Sequence, residues 1–333
     1  MAVNQRPKER RVPDFDDVSE AVERLRGQAR RTPLLVGTPL DEALGFRVFL
    51  KLENLQHTGS FKIRGAFNRL AKLDAEQRKA GVVAFSSGNH AQGVAEAARR
   101  LGIPASIVMP SDAPRVKLAN TRALGAAVIE YDRLNESRED IAERLARASG
   151  AVLVPSYDDP DVIAGQGTVG IELLEQAREC GVELDDVVVP CSGGGLTAGI
   201  ALSLEELSPR TRVWTAEPAD FNDYQRSLAA GQRLSNRPEA RSCCDALLAP
   251  EPGEITFEIN RHLLAGGVCA TEEEVMQAIS IAAQQLKLVL EPGGAVALAC
   301  VLARHLSAAG PNVAVVLSGG NIDATALARI LSR

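Results

Sequence analysis

The sequence predicts an open α/β protein built from two parallel-sheet units with a cleft between them. Three observations carry this. Short, near-continuous apolar runs alternate with helix-like stretches along most of the chain, the pattern of strands covered on both faces. Those runs are too many for one sheet of usual size, and 333 residues exceed one typical domain. Three of the polar loops lie where strands end, which is where open α/β sheets bind ligands.

Taken in order, residues 17–30 read as an amphipathic helix behind a charged leader. Residues 31–35 leave it extended, because the residue before Pro33 avoids helix. A strand over 48–53 leads into Thr58-Gly59-Ser60-Phe61-Lys62-Ile63-Arg64-Gly65-Ala66, and a helix over 67–73 leads out, with Ser60 placed as its N-cap. Strands at 82–86, 105–109, 127–131 and 151–154 alternate with helices at 91–101, after Pro114, up to 148 and at 162–179. Strands follow at 187–190, 213–216 and 313–317, with helices near Glu254 and Thr271. Residues 220–253 show no period, and no repeat or low-complexity tract appears. The expected division is a large unit of residues 1–80 and 160–333, with a small mobile α/β unit, 81–159, inserted into it.

Composition narrows the function. A net charge of −6 argues against nucleic acid or an anionic membrane as partner. No apolar run reaches the length of a membrane helix, and residues 4–11 are polar, without an apolar signal core. The six cysteines lack C-x-x-C spacing, and the neighbours Cys243 and Cys244 make a poor disulfide pair. Reduced thiols and a cytoplasmic location are therefore expected. Four histidines without paired spacing argue against a histidine metal site.

Chemistry is concentrated in five short stretches. Lys62 falls in the first turn of a helix, where free N–H groups and partial burial disfavour the ammonium form. A neutral lysine amine is a nucleophile toward carbonyls; the rival reading is a surface lysine after a cap. Ser192-Gly193-Gly194-Gly195-Leu196 joins a strand to a helix and suits a phosphate. Gly193, Gly195 and Ala198 also fit G-x-G-x-x-A, with Glu217 beyond the next strand as a ribose-binding acid, so a nicotinamide site and a plain packing turn both remain open. Ser86-Ser87-Gly88-Asn89-His90 suits a carboxylate, or is a capped helix start with a structural histidine. Ser318-Gly319-Gly320-Asn321 is a third such loop or a turn. Glu217 and Asp223 bracket a polar bend suited to Mg²⁺ or Ca²⁺, or are solvated loop acids.

Together, Ser60-Phe61-Lys62-Ile63-Arg64-Gly65-Ala66, Ser86-Ser87-Gly88-Asn89-His90, Ala164-Gly165-Gln166-Gly167-Thr168, Ser192-Gly193-Gly194-Gly195-Leu196 and Ser318-Gly319-Gly320-Asn321 resemble the fold-type II pyridoxal phosphate enzymes, in the threonine/serine dehydratase and serine racemase branch. The likeness runs from about residue 12 to 331, with the motifs in family order. It implies a tryptophan synthase β-subunit-like fold, with pyridoxal 5'-phosphate in the cleft and Lys62 as its Schiff-base lysine beside Phe61. Ser192, Gly193, Gly194, Gly195 and Leu196 would hold the phosphate, Asn89 the ring hydroxyl and Ser318 the ring nitrogen. Ser86, Ser87, Asn89 and His90 would bind the substrate carboxylate. Glu217, Asp223 and the Phe221 carbonyl would bind a divalent metal, Mg²⁺ or Ca²⁺. Ser192 stands where racemases often have glycine.

The resemblance implies β-elimination (dehydration and deamination) of L-threonine or L-serine to a 2-oxo acid and ammonia, with serine racemase or 3-hydroxyaspartate dehydratase as alternatives, and a homodimer. No regulatory domain follows the last motif, so an isoleucine-sensing form is not expected. Arg138 resembles an arginine that meets a second substrate carboxylate, or is a helix-surface arginine paired with an acid. Ser87 resembles the serine of racemases, which would act as acid/base opposite Lys62. The nicotinamide reading weakens here, because it leaves Lys62 and the serine loops without a role.

Overall fold

The computed structural model describes residues 11–86, 88–113, 115–308 and 310–333. Among them the strands are β1 (Leu34–Leu35), β2 (Arg47–Lys51), β3 (Val82–Phe85), β4 (Ala105–Pro110), β5 (Ala127–Tyr131), β6 (Val152–Leu153), β7 (Asp186–Pro190), β8 (Arg212–Pro218), β9 (Leu264–Ala270) and β10 (Asn312–Val316). They form a six-stranded sheet, β1-β2-β10-β7-β8-β9, and a four-stranded sheet, β5-β4-β3-β6. Pairing is parallel throughout except for the edge strand β1, antiparallel to β2.

The apolar runs explain the layers. Along β7, Val188 faces a cluster with Ala216, Val296 and Leu298, whereas Val187 and Val189 face Leu173 and Ile200. Successive side chains of a strand point to opposite faces, so a run of valines fills both. The helix Pro292–Leu302 covers one face, and the helices Pro160–Glu179 and Gly195–Leu207 cover the other.

The helix Lys62–Ala71 joins the two sheets. Its Ile63, Phe67 and Leu70 share one apolar cluster with Val82, Val94 and Ile107 of the small sheet and its helices. On the side toward the large sheet, Arg64 donates to Glu53 Oε1 (2.8 Å) and Glu172 Oε1 (2.7 Å), and Lys51 donates to Glu172 Oε2 (2.8 Å). Two cations thus meet two carboxylates in a buried network, which holds the start of the Lys62 helix in place.

Three local expectations are corrected. Ser60 is not an N-cap: its backbone is extended, it bridges to Gly319, and the helix begins at Lys62. A tertiary backbone contact replaces the side-chain cap. The first helix spans Phe15–Leu25, opened by a capping box between Asp14 and Asp17, and stops short of residue 30. Strand β9 was not anticipated, because Gly266-Gly267 weakens a strand reading. Trp214 lies over Gly266 and Thr215 lies against Gly267, and side chains at those positions would meet them.

Candidate active site

The strands of each sheet are parallel, so the loops after β3, β7 and β10 leave at carboxyl ends. They converge on a cleft of about 470 Å³. Phe61, Lys62, Ser86, Asn89, His90, Arg138, Ser192 to Leu196 and Ser318 all line it. Ser87 lies outside the described residues. Glu217, Phe221 and Asp223 do not line the cleft.

Lys62 Nζ donates to the carbonyl of Ser156 at 2.7 Å and stands 5.1 Å from the Phe61 ring centroid. Loss of water around it lowers the ammonium to about 8 from an ordinary 10.5. The neutral amine is therefore accessible near neutral pH.

In the same cleft, Gly194 is the N-cap of the helix Gly195–Leu207, with φ of 93°. Free N–H groups at this helix start favour an anion. The Tyr157 ring lies against Gly193, and Gln166 Oε1 would stand 2.8 Å from a Cβ at Gly195. Both polar side-chain atoms of Gln166 are buried without a partner. Ser192 Oγ accepts from the Ala249 N–H (3.0 Å), which ties the loop over 236–250 to the cradle.

Asn89 is held at both ends: it donates to Glu291 Oε1 (2.5 Å) and accepts from Asn321 Nδ2 (2.7 Å). Glu291 is buried, its second oxygen has no partner, and burial pushes its carboxyl up to about 7. The Ser318 carbonyl accepts from the Phe61 N–H (3.3 Å), so the last loop is fastened beside Lys62. His90 Nε2 lies 2.9 Å from the carbonyl of Val154, and burial followed by the Lys62 charge lowers it to about 3. It is a neutral, positioned ring.

Arg138 opens the helix Arg138–Ser149 and combines features of both readings. It pairs with Glu139 (2.7 Å), stacks over Phe85 (5.3 Å) and lines the cleft.

Glu217 is the next-to-last residue of β8 and is fully buried, its oxygens accepting from the N–H groups of Tyr224 (2.8 Å) and Gln225 (2.7 Å). It therefore caps a helix start and does not face the glycine loop as a ribose-binding acid would. Asp223 Oδ1 accepts from Asn236 (2.5 Å), and Oδ2 is buried without a partner. Burial, then the Asp223 charge, pushes Glu217 well up; burial pushes Asp223 up to about 6. Among the described residues, no group of three or more His, Cys, Asp or Glu side chains is placed to hold a metal.

Sequence reasoning missed Glu291, Tyr157, Lys117 and Asp245, all of which line the cleft. Glu291-Pro292-Gly293-Gly294 carried a signal, an acid before a helix-opening proline. The other three carried none, since only the fold brings them to the cleft.

A family model described as "Pyridoxal-phosphate dependent enzyme" matches residues 25–319. The chain is 45% identical to an L-threo-3-hydroxyaspartate ammonia-lyase of a Pseudomonas species, over 95% of this chain and 98% of that protein. It is 38% identical to a serine racemase of Schizosaccharomyces pombe, over 97% of this chain and 98% of the racemase. Among solved structures, maize serine racemase superposes with a TM-score of 0.90 at 37% identity, covering 97% of this chain and 98% of that one.

Proposed function

This chain belongs to the pyridoxal-phosphate-dependent enzyme family, and from that premise we propose that it eliminates water from a 3-hydroxy amino acid, the dehydrated product then taking up water to give a 2-oxo acid and ammonia. One observation carries the reading: a lysine amine lowered to about 8 shares a cleft with a glycine-loop anion cradle. The residues present fit the cofactor. The unpartnered Gln166 amide and the free N–H groups after Gly194 suit its phosphate. Asn89 and Ser318 suit its ring hydroxyl and ring nitrogen.

When bound, pyridoxal 5'-phosphate supplies an electron sink for charge developing at the substrate Cα. Lys62 Nζ would hold the cofactor and, as a neutral amine, would accept the substrate's Cα proton. The loop from Ser86 to His90, including Ser87, binds the substrate carboxylate. Ser318 would hold the ring nitrogen, and a neutral serine there would leave that sink weaker than an acid would.

Threonine and serine fit this scheme, and Arg138 favours 3-hydroxyaspartate as a further substrate. A guanidinium in the cleft wall is suited to a second carboxylate, and the Pseudomonas relative carries that substrate in its name. Serine racemisation with Ser87 as the opposite acid/base is the alternative.

The bend at Glu217, the Phe221 carbonyl and Asp223 is proposed to bind Mg²⁺ or Ca²⁺. The unpartnered Asp223 oxygen and two neighbouring buried carboxylates fit a hard cation. The unit 81–159 is proposed to move against the rest, and the assembly to be a homodimer. The six cysteines are free, which fits the proposed cytoplasmic location. Among the described residues, no helix is long and apolar enough to cross a membrane.

The test is 2-oxo acid release from L-threonine, L-serine and 3-hydroxyaspartate, with D-serine assayed beside pyruvate. Lys62→Ala is expected to lose the cofactor's near-visible colour and all turnover; a variant that stays coloured after dialysis refutes the assignment. Arg138→Ala is expected to lose about 10- to 100-fold in kcat/KM for 3-hydroxyaspartate alone, the worth of a charge-assisted pair. Equal losses for serine would return Arg138 to the helix surface.

A further inference from the structure

We propose that Tyr224 couples cation binding at the Glu217–Asp223 bend to the grip of the glycine loop on its anionic ligand. The inference rests on the cation reading given above and adds the route by which the cation acts.

Tyr224 follows Asp223 directly and is fully buried. Its backbone N–H donates to Glu217 Oε1 at 2.8 Å, so its position is set by one of the two acids. Its ring packs in an apolar cluster with Cys191 and Phe257, 6.2 Å from the Phe257 centroid. The hydroxyl reaches beneath the glycine loop, where a Cβ on Gly194 would collide with it.

From there two hydrogen-bonded arms run to the loop's carbonyls. The hydroxyl donates to Thr256 Oγ1 (3.0 Å), which donates to the Gly193 carbonyl (2.5 Å). Asn260 Nδ2 donates both to the Tyr224 hydroxyl (2.9 Å) and to the Gly194 carbonyl (3.2 Å). A trans peptide is planar, with its N–H opposed to its C=O. Fixing the carbonyls of Gly193 and Gly194 therefore aims the N–H groups of Gly194 and Gly195 the other way, away from Tyr224. Those N–H groups belong to the proposed anion cradle.

A cation at the free Asp223 oxygen would draw Asp223 and Glu217 together, and Tyr224 is bonded to both, covalently to one and by hydrogen bond to the other. The ring is a rigid lever between that bend and the two carbonyls. A merely structural tyrosine would support the loop equally with and without the cation. A coupling residue makes the loop's affinity depend on it, and the dependence must be reciprocal.

The test uses the holoenzyme and two readouts. The dissociation constant of pyridoxal 5'-phosphate is measured by equilibrium dialysis, through near-visible absorbance, in Mg²⁺ and in chelator. The melting temperature is measured in the same two conditions. In the wild type, chelation is expected to weaken cofactor binding about tenfold, within the range usual for coupled sites, and to lower the melting temperature. Tyr224→Phe keeps the ring and loses the hydroxyl; Thr256→Val breaks one arm at its far end, away from the bend. Both variants are expected to keep the Mg²⁺-dependent melting shift; Tyr224→Phe should show the same cofactor dissociation constant in both conditions, and Thr256→Val, which leaves the Asn260 arm, a smaller dependence than the wild type.

Variants that retain the wild-type dependence overturn the role of Tyr224. A wild type whose melting temperature responds to Mg²⁺ while its cofactor affinity does not overturns the coupling and leaves the cation site standing. No melting shift with Mg²⁺ overturns the cation site, and the coupling with it.

Discussion

Burial of the Glu291 side chain, with one oxygen on Asn89 and the other unpartnered, pushes its carboxyl from an ordinary 4.5 up to about 7. An acid raised in this way binds more protons folded than unfolded. Its contribution to stability is thus fully present below 4.5 and is lost as the pH climbs through 7. The span is worth on the order of 3 kcal/mol. Glu291→Gln keeps an acceptor for Asn89 and cannot ionise. Thermal melts across that window should show wild-type stability falling with pH relative to the variant, and parallel curves above it. Parallel curves throughout would mean that the carboxyl titrates at its ordinary value. Lys62 was legible because its surroundings are local: a strand, a small polar loop and a helix start within a dozen residues. Glu291 was not, because its partner Asn89 lies 202 residues away.

The glycine loop shows the same division at the level of an element. Its placement between a strand and a helix was readable. The need for glycine at each position was not, since the neighbours that enforce it are the Tyr157 ring, Gln166 and the Tyr224 hydroxyl. Strand β9 was missed for a related reason, as its two glycines are explained by Trp214 and Thr215 on the neighbouring strand. Gly194 and Gly231 separate backbone strain from collision. Both have positive φ, 93° and 69°, but a Cβ at Gly231 meets open space. Gly231→Ala is expected to cost about 1 kcal/mol in a denaturant melt, the strain of the left-handed region alone. Gly194→Ala should cost clearly more and should lose cofactor on dialysis, because the added methyl displaces the Tyr224 hydroxyl. Equal costs would show that Tyr224 yields freely and that the loop is not fixed from below.

For the whole molecule, the two-sheet architecture was legible from the alternation of apolar runs, whereas the contacts that span the cleft were not. One of them is ionic. Lys117, on the helix Arg115–Ala123 of the small sheet, donates to Asp245 Oδ2 at 2.5 Å. Asp245 opens the turn Asp245–Leu247, and Leu247 packs in the core of the large sheet. Lys117 is mostly buried, while the Asp245 side chain is 45% exposed, so salt screens the pair in part. If the small unit moves, this pair forms on closure and breaks on opening, and its free energy belongs to the closed state alone. A partly exposed pair is worth up to about 1 kcal/mol, which is roughly a fivefold shift in the balance of open and closed forms. Substrate bound in the closed cleft draws on that balance. Asp245→Asn is therefore expected to raise KM by up to about fivefold with little change in kcat. Added salt should raise the wild-type KM toward that of the variant and leave the variant's nearly constant. A variant with wild-type KM and wild-type salt dependence would mean that the two units keep the same spacing through turnover, and that Lys117 and Asp245 only decorate the rim.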